Sequence, residues 1–353
     1  MSGAPSLPFW LEQLLTFVLL VSPGIAFVLA YAADDGARSA RAILLVGLGL
    51  AGLGSMFVGA LLALTGVLPS LSAGGAGDVP SPLGSAAIFP ALSTLGGATI
   101  VLGALSLVLL VPAVRRPIAR LIPIDADRLV HLVALDCVVL VLWMSGAIAL
   151  FMPIIAADPA GMKSLGDATA QAGLTGIWVQ NAAFAVLAVV GVGALVHRDG
   201  RAVLDRLGLN VAFNWRWWLG GAALALAVAV ATDQLWTLFD PKGAADLGKL
   251  SDQLFGPLIA KGGIAAALTI GLAPGIGEEL LFRGAAQPRL GLVFTSLLFA
   301  AMHTQYTVSP ALIQIFIVGL ILGRVRQRAG TGTSILVHAT FNALQVAISL
   351  IGG

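Results

Sequence analysis

The sequence predicts an all-α protein, a polytopic bundle of about ten transmembrane helices. Three observations lead there. Hydrophobic residues make up 58% of the 353-residue chain and charged residues 10%, where a soluble domain carries about 25% charged residues; mean hydropathy is +0.99. Apolar runs long enough to cross a bilayer, roughly 20 residues each, recur from one end of the chain to the other. Arginines fall in alternate connections between those runs, the signature of cytoplasmic loops.

Taken in order, the first span lies near 9–33. Met1 to Pro8 contains no Lys or Arg, whereas a secretory signal opens on a basic segment. The run is therefore read as a retained span despite Ala30 and Ala32 at a possible cleavage spacing. Arg38 and Arg41 separate it from the second span, 42–68. The third, 91–114, ends at Arg115, Arg116, Arg120 and Arg128, and the fourth follows at 129–156. The fifth, 174–197, ends at Arg198, Arg201, Arg206 and Arg216. The sixth, 217–239, opens beside Trp215, Trp217 and Trp218, read as an interfacial aromatic belt. Arg283 and Arg289 close the seventh, 261–288. Only Ser309-Pro310 separates the eighth, 291–308, from the ninth, 310–326, which ends at Arg324, Arg326 and Arg328 before the tenth at 332–351. The opposite connections hold little that is basic beyond Lys163, Lys242, Lys249 and Lys261. This places the arginine-rich loops in the cytoplasm and both termini outside. Residues 69–90 and 157–173, rich in Gly, Ser, Pro and Ala, read as external loops.

Several classes of function are excluded. The formal charge of +2 and pI near 9.0 come from dispersed basic residues, without the patch or arm that nucleic acid requires. A single cysteine, Cys137, leaves no intrachain disulfide and no Cys-based zinc site. Gly271/Gly275 and Gly319/Gly323 have the spacing that lets helices approach closely, a packing signal. Asp136, Asp233, His131 and His197 read as helix-contact or span-end residues.

The stretch Gly275-Ile-Gly-Glu-Glu-Leu-Leu-Phe-Arg283 stands apart, because ionisable groups inside a bilayer are costly and usually functional. If spans seven and eight form a hairpin turning near Leu290-Gly291, Glu278 and His303 each lie about 12 residues, roughly 18 Å, from the turn. They would then be level with each other. His338 and Asn342, one turn apart on the tenth span, approach the same layer. A desolvated carboxylate beside a second carboxylate takes up a proton more readily, so Glu278 suits a general base on water, helped by His303. His338 and Asn342 offer N–H donors for an oxyanion. Arg283, four residues after Glu279, pairs with it along one helix face. That leaves Glu279 in a supporting role.

These residues carry a resemblance. Glu278-Glu279-Leu-Leu-Phe-Arg283, Phe299-Ala-Ala-Met-His303 and His338-Ala-Thr-Phe-Asn342 resemble, in order and spacing, the three motifs of the CPBP family of CAAX prenyl and bacteriocin-processing endopeptidases, also called the ABI family. The resemblance covers roughly 210–351. It implies a glutamate-dependent, metal-independent intramembrane endopeptidase with no cofactor. Glu278 and His303 would activate water, and His338 and Asn342 would form the oxyanion hole. Residues 210–353 would then be a catalytic core, and 1–209 a set of helices for substrate selection or a partner. The expected partners are the lipid bilayer and a membrane-associated peptide or protein substrate. Composition suggests a bacterial inner membrane. Two other readings use the same residues. In one, Glu278, Glu279, His303 and His338 hold a metal ion, although no His-Glu-x-x-His helix is present. In the other, the intramembrane acids and histidines belong to a transporter or to a non-catalytic immunity protein.

Overall fold

Helices supply all the regular structure among the described residues of the computed structural model, which are 8–71, 88–194 and 196–352. The first seven residues and most of the expected external loop at 69–90 lie outside them. In chain order the helices are α1 (Phe9–Val21), α2 (Pro23–Asp34), α3 (Arg38–Leu71), α4 (Ile88–Leu109), α5 (Pro112–Ile118), α6 (Leu129–Ala157), α7 (Pro159–Gly191), α8 (Gly200–Leu207), α9 (Trp215–Phe239) and α10 (Pro241–Glu278). A π-helical segment, Glu279–Ala286, leads into α11 (Gln287–Leu290) and α12 (Leu292–Ala301). A 3₁₀ turn, Thr304–Tyr306, then precedes α13 (Pro310–Gly352). Among the described residues eight helical stretches are long and apolar enough to cross a membrane. Only 17% to 33% of the most apolar window in each is buried, so most of the apolar surface is left for lipid. This is an integral, multi-pass membrane protein.

The structure departs from the expected layout in four places. The expected eighth span is α12, ten residues long and about half the length a bilayer needs. The ninth and tenth spans run on as α13, broken at Gly330, where φ 81 and ψ 166 interrupt the helix. A side chain is strained at that φ, and a Cβ there would also strike Val211. The expected loop at 157–173 is helical up to Gly173. In the same way, α10 starts well before the expected 261. Asp240 caps it by accepting from the Gly243 N–H at 2.9 Å, and Pro241 fills the first helical turn. Leu250, Leu254 and Leu258 bury one face of this first half, and the apolar span proper begins after a break at Gly263.

The chain divides into two compact units. One comprises Leu29–Lys163 and Leu298–Leu312. Its centre is the α3–α4 hairpin, in which Gly52, Gly59 and Gly66 on one helix meet Gly96, Gly103 and the backbone around Ser93 on the other. A Cβ at Gly59 would lie 2.6 Å from the Gly96 carbonyl oxygen, so the seven-residue glycine repeat sets how closely these helices pack. Asp34 closes the N-terminus of α6, accepting from Leu129 N at 2.9 Å and Val130 N at 3.2 Å. The buried Arg115 donates to the carbonyls of Leu109 and Ala126, tying α5 to its flanking loops. Thr304 donates to Ser145 O of α6 at 2.9 Å.

The other unit holds the chain up to Val28, Ser164–Leu297 and the chain from Ile313 onward. Ala188, Val192, Val203, Leu207 and Leu280 form a core beneath the π-helical segment. α8 locks the next turn: Arg206 donates to Gly284 O at 2.8 Å and to Ala285 O at 3.0 Å. From α13, Arg326 donates to Arg283 O at 3.1 Å. These arginines satisfy carbonyls at the end of the segment that carries the glutamates.

Candidate active site

Glycines bring the first and third motifs together. On the second half of α10, a Cβ at Gly271 would sit 2.7 Å from Ala339 O, and one at Gly275 would sit 3.1 Å from Ala339 N and Ile335 O. The helix bearing Glu278 and Glu279 thus lies backbone to backbone against the helix bearing His338 and Asn342. On its other side Gly277 is pressed against the backbone of Asn181 in α7. The remaining pair does similar work, Gly319 against Ser296 and Gly323 against Leu292 and Gln287.

Glu279 is fully buried and is the most connected side chain of the site. Arg283 Nε lies 3.5 Å from its Oε2 and is itself fully buried, so the pair belongs to the protein interior. Ser334 donates to the same oxygen at 2.5 Å. His338 Nδ1 lies 3.1 Å from Oε1. A carboxylate only accepts, so Nδ1 carries the proton and donates. The ring is thereby fixed in orientation. A buried carboxylate is tolerated when it is paired and hydrogen-bonded, and Arg283, Ser334 and His338 together meet that condition.

Glu278, one residue earlier, is half-buried. Its Oε2 is shielded from solvent without a hydrogen-bond partner, unlike either oxygen of Glu279. Asn342 donates to Ile270 O at 3.2 Å. That carbonyl is available because Pro274, four residues on, has no N–H to give it. The second amide hydrogen of Asn342 is not used in this bond. His303 lies in the unit made of Leu29–Lys163 and Leu298–Leu312, at the end of α12, where its own contacts set its chemistry. Nδ1 is 2.8 Å from Phe299 O, and the Phe299 and His303 rings pack at 4.9 Å. A carbonyl also only accepts, so Nδ1 donates and Nε2 of the neutral ring is an acceptor. The Phe-x-x-x-His spacing has this purpose: one helical turn supplies both the carbonyl and the ring.

Residues 260–344 match the family model for Type II CAAX prenyl endopeptidase Rce1-like proteins. This segment belongs to the CPBP/CAAX protease family. The match contains all three motifs, from Glu278 to Asn342. The match supports a protease of the CAAX type for this segment, a hydrolase acting on a peptide or protein. No curated protein and no solved structure matches the chain significantly.

Two participants escape sequence reasoning. Ser334 is one; its only signal is that it precedes His338 by one helical turn. Asn181 is the other, 4% exposed, donating to Ile177 O at 2.9 Å and leaving its Oδ1 buried without a partner. Nothing in the α7 sequence points to it. Trp218, expected in the interfacial belt, is instead a helix contact, donating to Thr340 of α13 at 3.0 Å; Trp215 and Trp217 are exposed. Among the described residues no group of three His, Cys, Asp or Glu side chains is arranged to hold a metal ion.

Proposed function

We propose that the protein is a glutamate-dependent intramembrane endopeptidase in which Glu278 is the general base. The observation that carries this reading is the contrast between two adjacent carboxylates. Both Glu279 oxygens are engaged by Arg283, Ser334 and His338, whereas Glu278 keeps a shielded oxygen without a partner. Glu278 takes a proton from water, and the hydroxide adds to the scissile carbonyl. The resemblance of Phe299-Ala-Ala-Met-His303 to the second family motif supports assigning His303 to the same water. The tetrahedral oxyanion receives a donor from Asn342 and from Nε2 of His338. With Nδ1 committed to Glu279, Nε2 of His338 donates when the ring is protonated. Glu278 then returns its proton to the leaving amine, which closes the cycle.

The substrate is a membrane-associated peptide or protein. The test compares membrane proteomes of cells carrying wild type and Glu278→Gln. A polypeptide whose terminus changes only with wild type is the expected result; identical termini in both would remove the assignment. Chelator-washed protein is expected to keep its activity, and a loss that Zn²⁺ restores would contradict a metal-free mechanism.

A further inference from the structure

A second site lies in the unit that carries Glu278, on residues the proteolytic reading does not use. The start of α9, Leu292 of α12 and the first half of α13 enclose a groove of about 620 Å³. Its walls are almost wholly apolar, with Leu224, Ile317, Leu320 and Ile321 among them. The exceptions are two arginines, Arg216 and Arg324. Both are exposed. Arg216 stacks on Trp215 with its guanidinium carbon 5.5 Å from the ring centre, and Arg324 donates to Gln327 at 3.2 Å. Neither has an acidic partner among the described residues.

We propose that this groove binds an anionic phospholipid of the cytoplasmic leaflet, with an acyl chain against the apolar wall and the headgroup phosphate on Arg216 and Arg324. An apolar groove alone accepts any acyl chain. The two cations select the sign of the headgroup, and guanidinium groups match phosphate geometry. Depth along the membrane normal agrees. Trp215 and Trp217, exposed beside Arg216, mark a bilayer interface. The connections at this end, with Arg198 and Arg201 before α9 and Arg328 after Arg324, are arginine-rich and therefore cytoplasmic. Basic pockets between helices on that side are suited to anionic headgroups.

The test uses the full chain in detergent with equal amounts of phosphatidylglycerol and phosphatidylcholine of identical chains, read by native mass spectrometry. Wild type should retain the anionic lipid with about 30-fold preference, the effect of two arginines near the surface. Arg216→Gln/Arg324→Gln should bring that preference close to unity while lipid is still retained. Gly220→Leu fills the groove from α9. A Cβ there meets no atom within 4 Å and leucine favours a helix, so the variant should fold and lose both lipids together. Equal retention of the two lipids by wild type, a preference that survives loss of both arginines, or full binding by Gly220→Leu would each overturn the proposal. Inorganic phosphate that competes the lipid away at low millimolar concentration would also overturn it, because the site would then be an anion site without a lipid component.

Discussion

Glu279 shows how one side chain can hold a site without performing its chemistry. Its removal takes from the buried Arg283 the carboxylate 3.5 Å away, so Glu279→Gln is expected to cost about 3–5 kcal/mol of stability, seen as a lower melting temperature in detergent. Ser334→Ala deletes one hydrogen bond to that carboxylate and should cost about 1.5–3 kcal/mol; a melting temperature equal to wild type would show that the hydroxyl is not needed there. The Glu279–Arg283 pair was legible in the sequence, because a four-residue spacing on a helix is a contact rule. Ser334 was not. A serine in an apolar helix is unremarkable until burial and a facing carboxylate select it. The attachment of His338 to Glu279 was hidden for the same reason: it joins residues far apart in sequence, and no local rule pairs them.

Between elements, the decisive contact is that of the second half of α10 with α13. Gly271→Val would drive a side chain into the backbone of Ala339, at a cost of about 1–3 kcal/mol for overpacking, and would part Glu278 from the helix bearing His338 and Asn342. Activity should fall together with stability, and an active variant of unchanged stability would argue against this packing. Pro274 and Asn342 should be coupled. Asn342→Ala leaves Ile270 O without its donor at a cost of about 1–3 kcal/mol. In a Pro274→Ala background the helix itself can satisfy that carbonyl, so the cost should shrink; a double-mutant cycle in melting free energy with no coupling would contradict the assignment. The sequence announced close packing at Gly271/Gly275 without naming the partner helix, since small-xxx-small spacing is indifferent to what it meets. The glycine repeat at 52, 59 and 66 went unread because its period is seven rather than four. The first half of α10 falls between expected spans because Lys242, Asp246, Lys249 and Asp252 lower its hydropathy, although Leu250, Leu254 and Leu258 keep helical spacing.

For the whole molecule, the arginine pattern predicts a bundle with its motif-bearing turn toward the cytoplasm. Arg289, exposed at the end of that turn, reports on this directly. In a Cys137→Ala background, Arg289→Cys should react with an impermeant thiol reagent only from the cytoplasmic side, and labelling from outside alone would invert the topology. Span positions were legible because hydropathy is local and bilayer thickness is fixed. Hydropathy cannot distinguish a crossing helix from a ten-residue helix such as α12.

The most direct measurement of the central claim is peptide-bond cleavage by purified protein reconstituted in liposomes, comparing wild type with Glu278→Gln at matched folding. Loss of a general base should lower the rate about 10²–10⁴-fold, with the melting temperature unchanged because the Glu278 Oε2 makes no hydrogen bond. Cleavage at the wild-type rate by folded Glu278→Gln would contradict it.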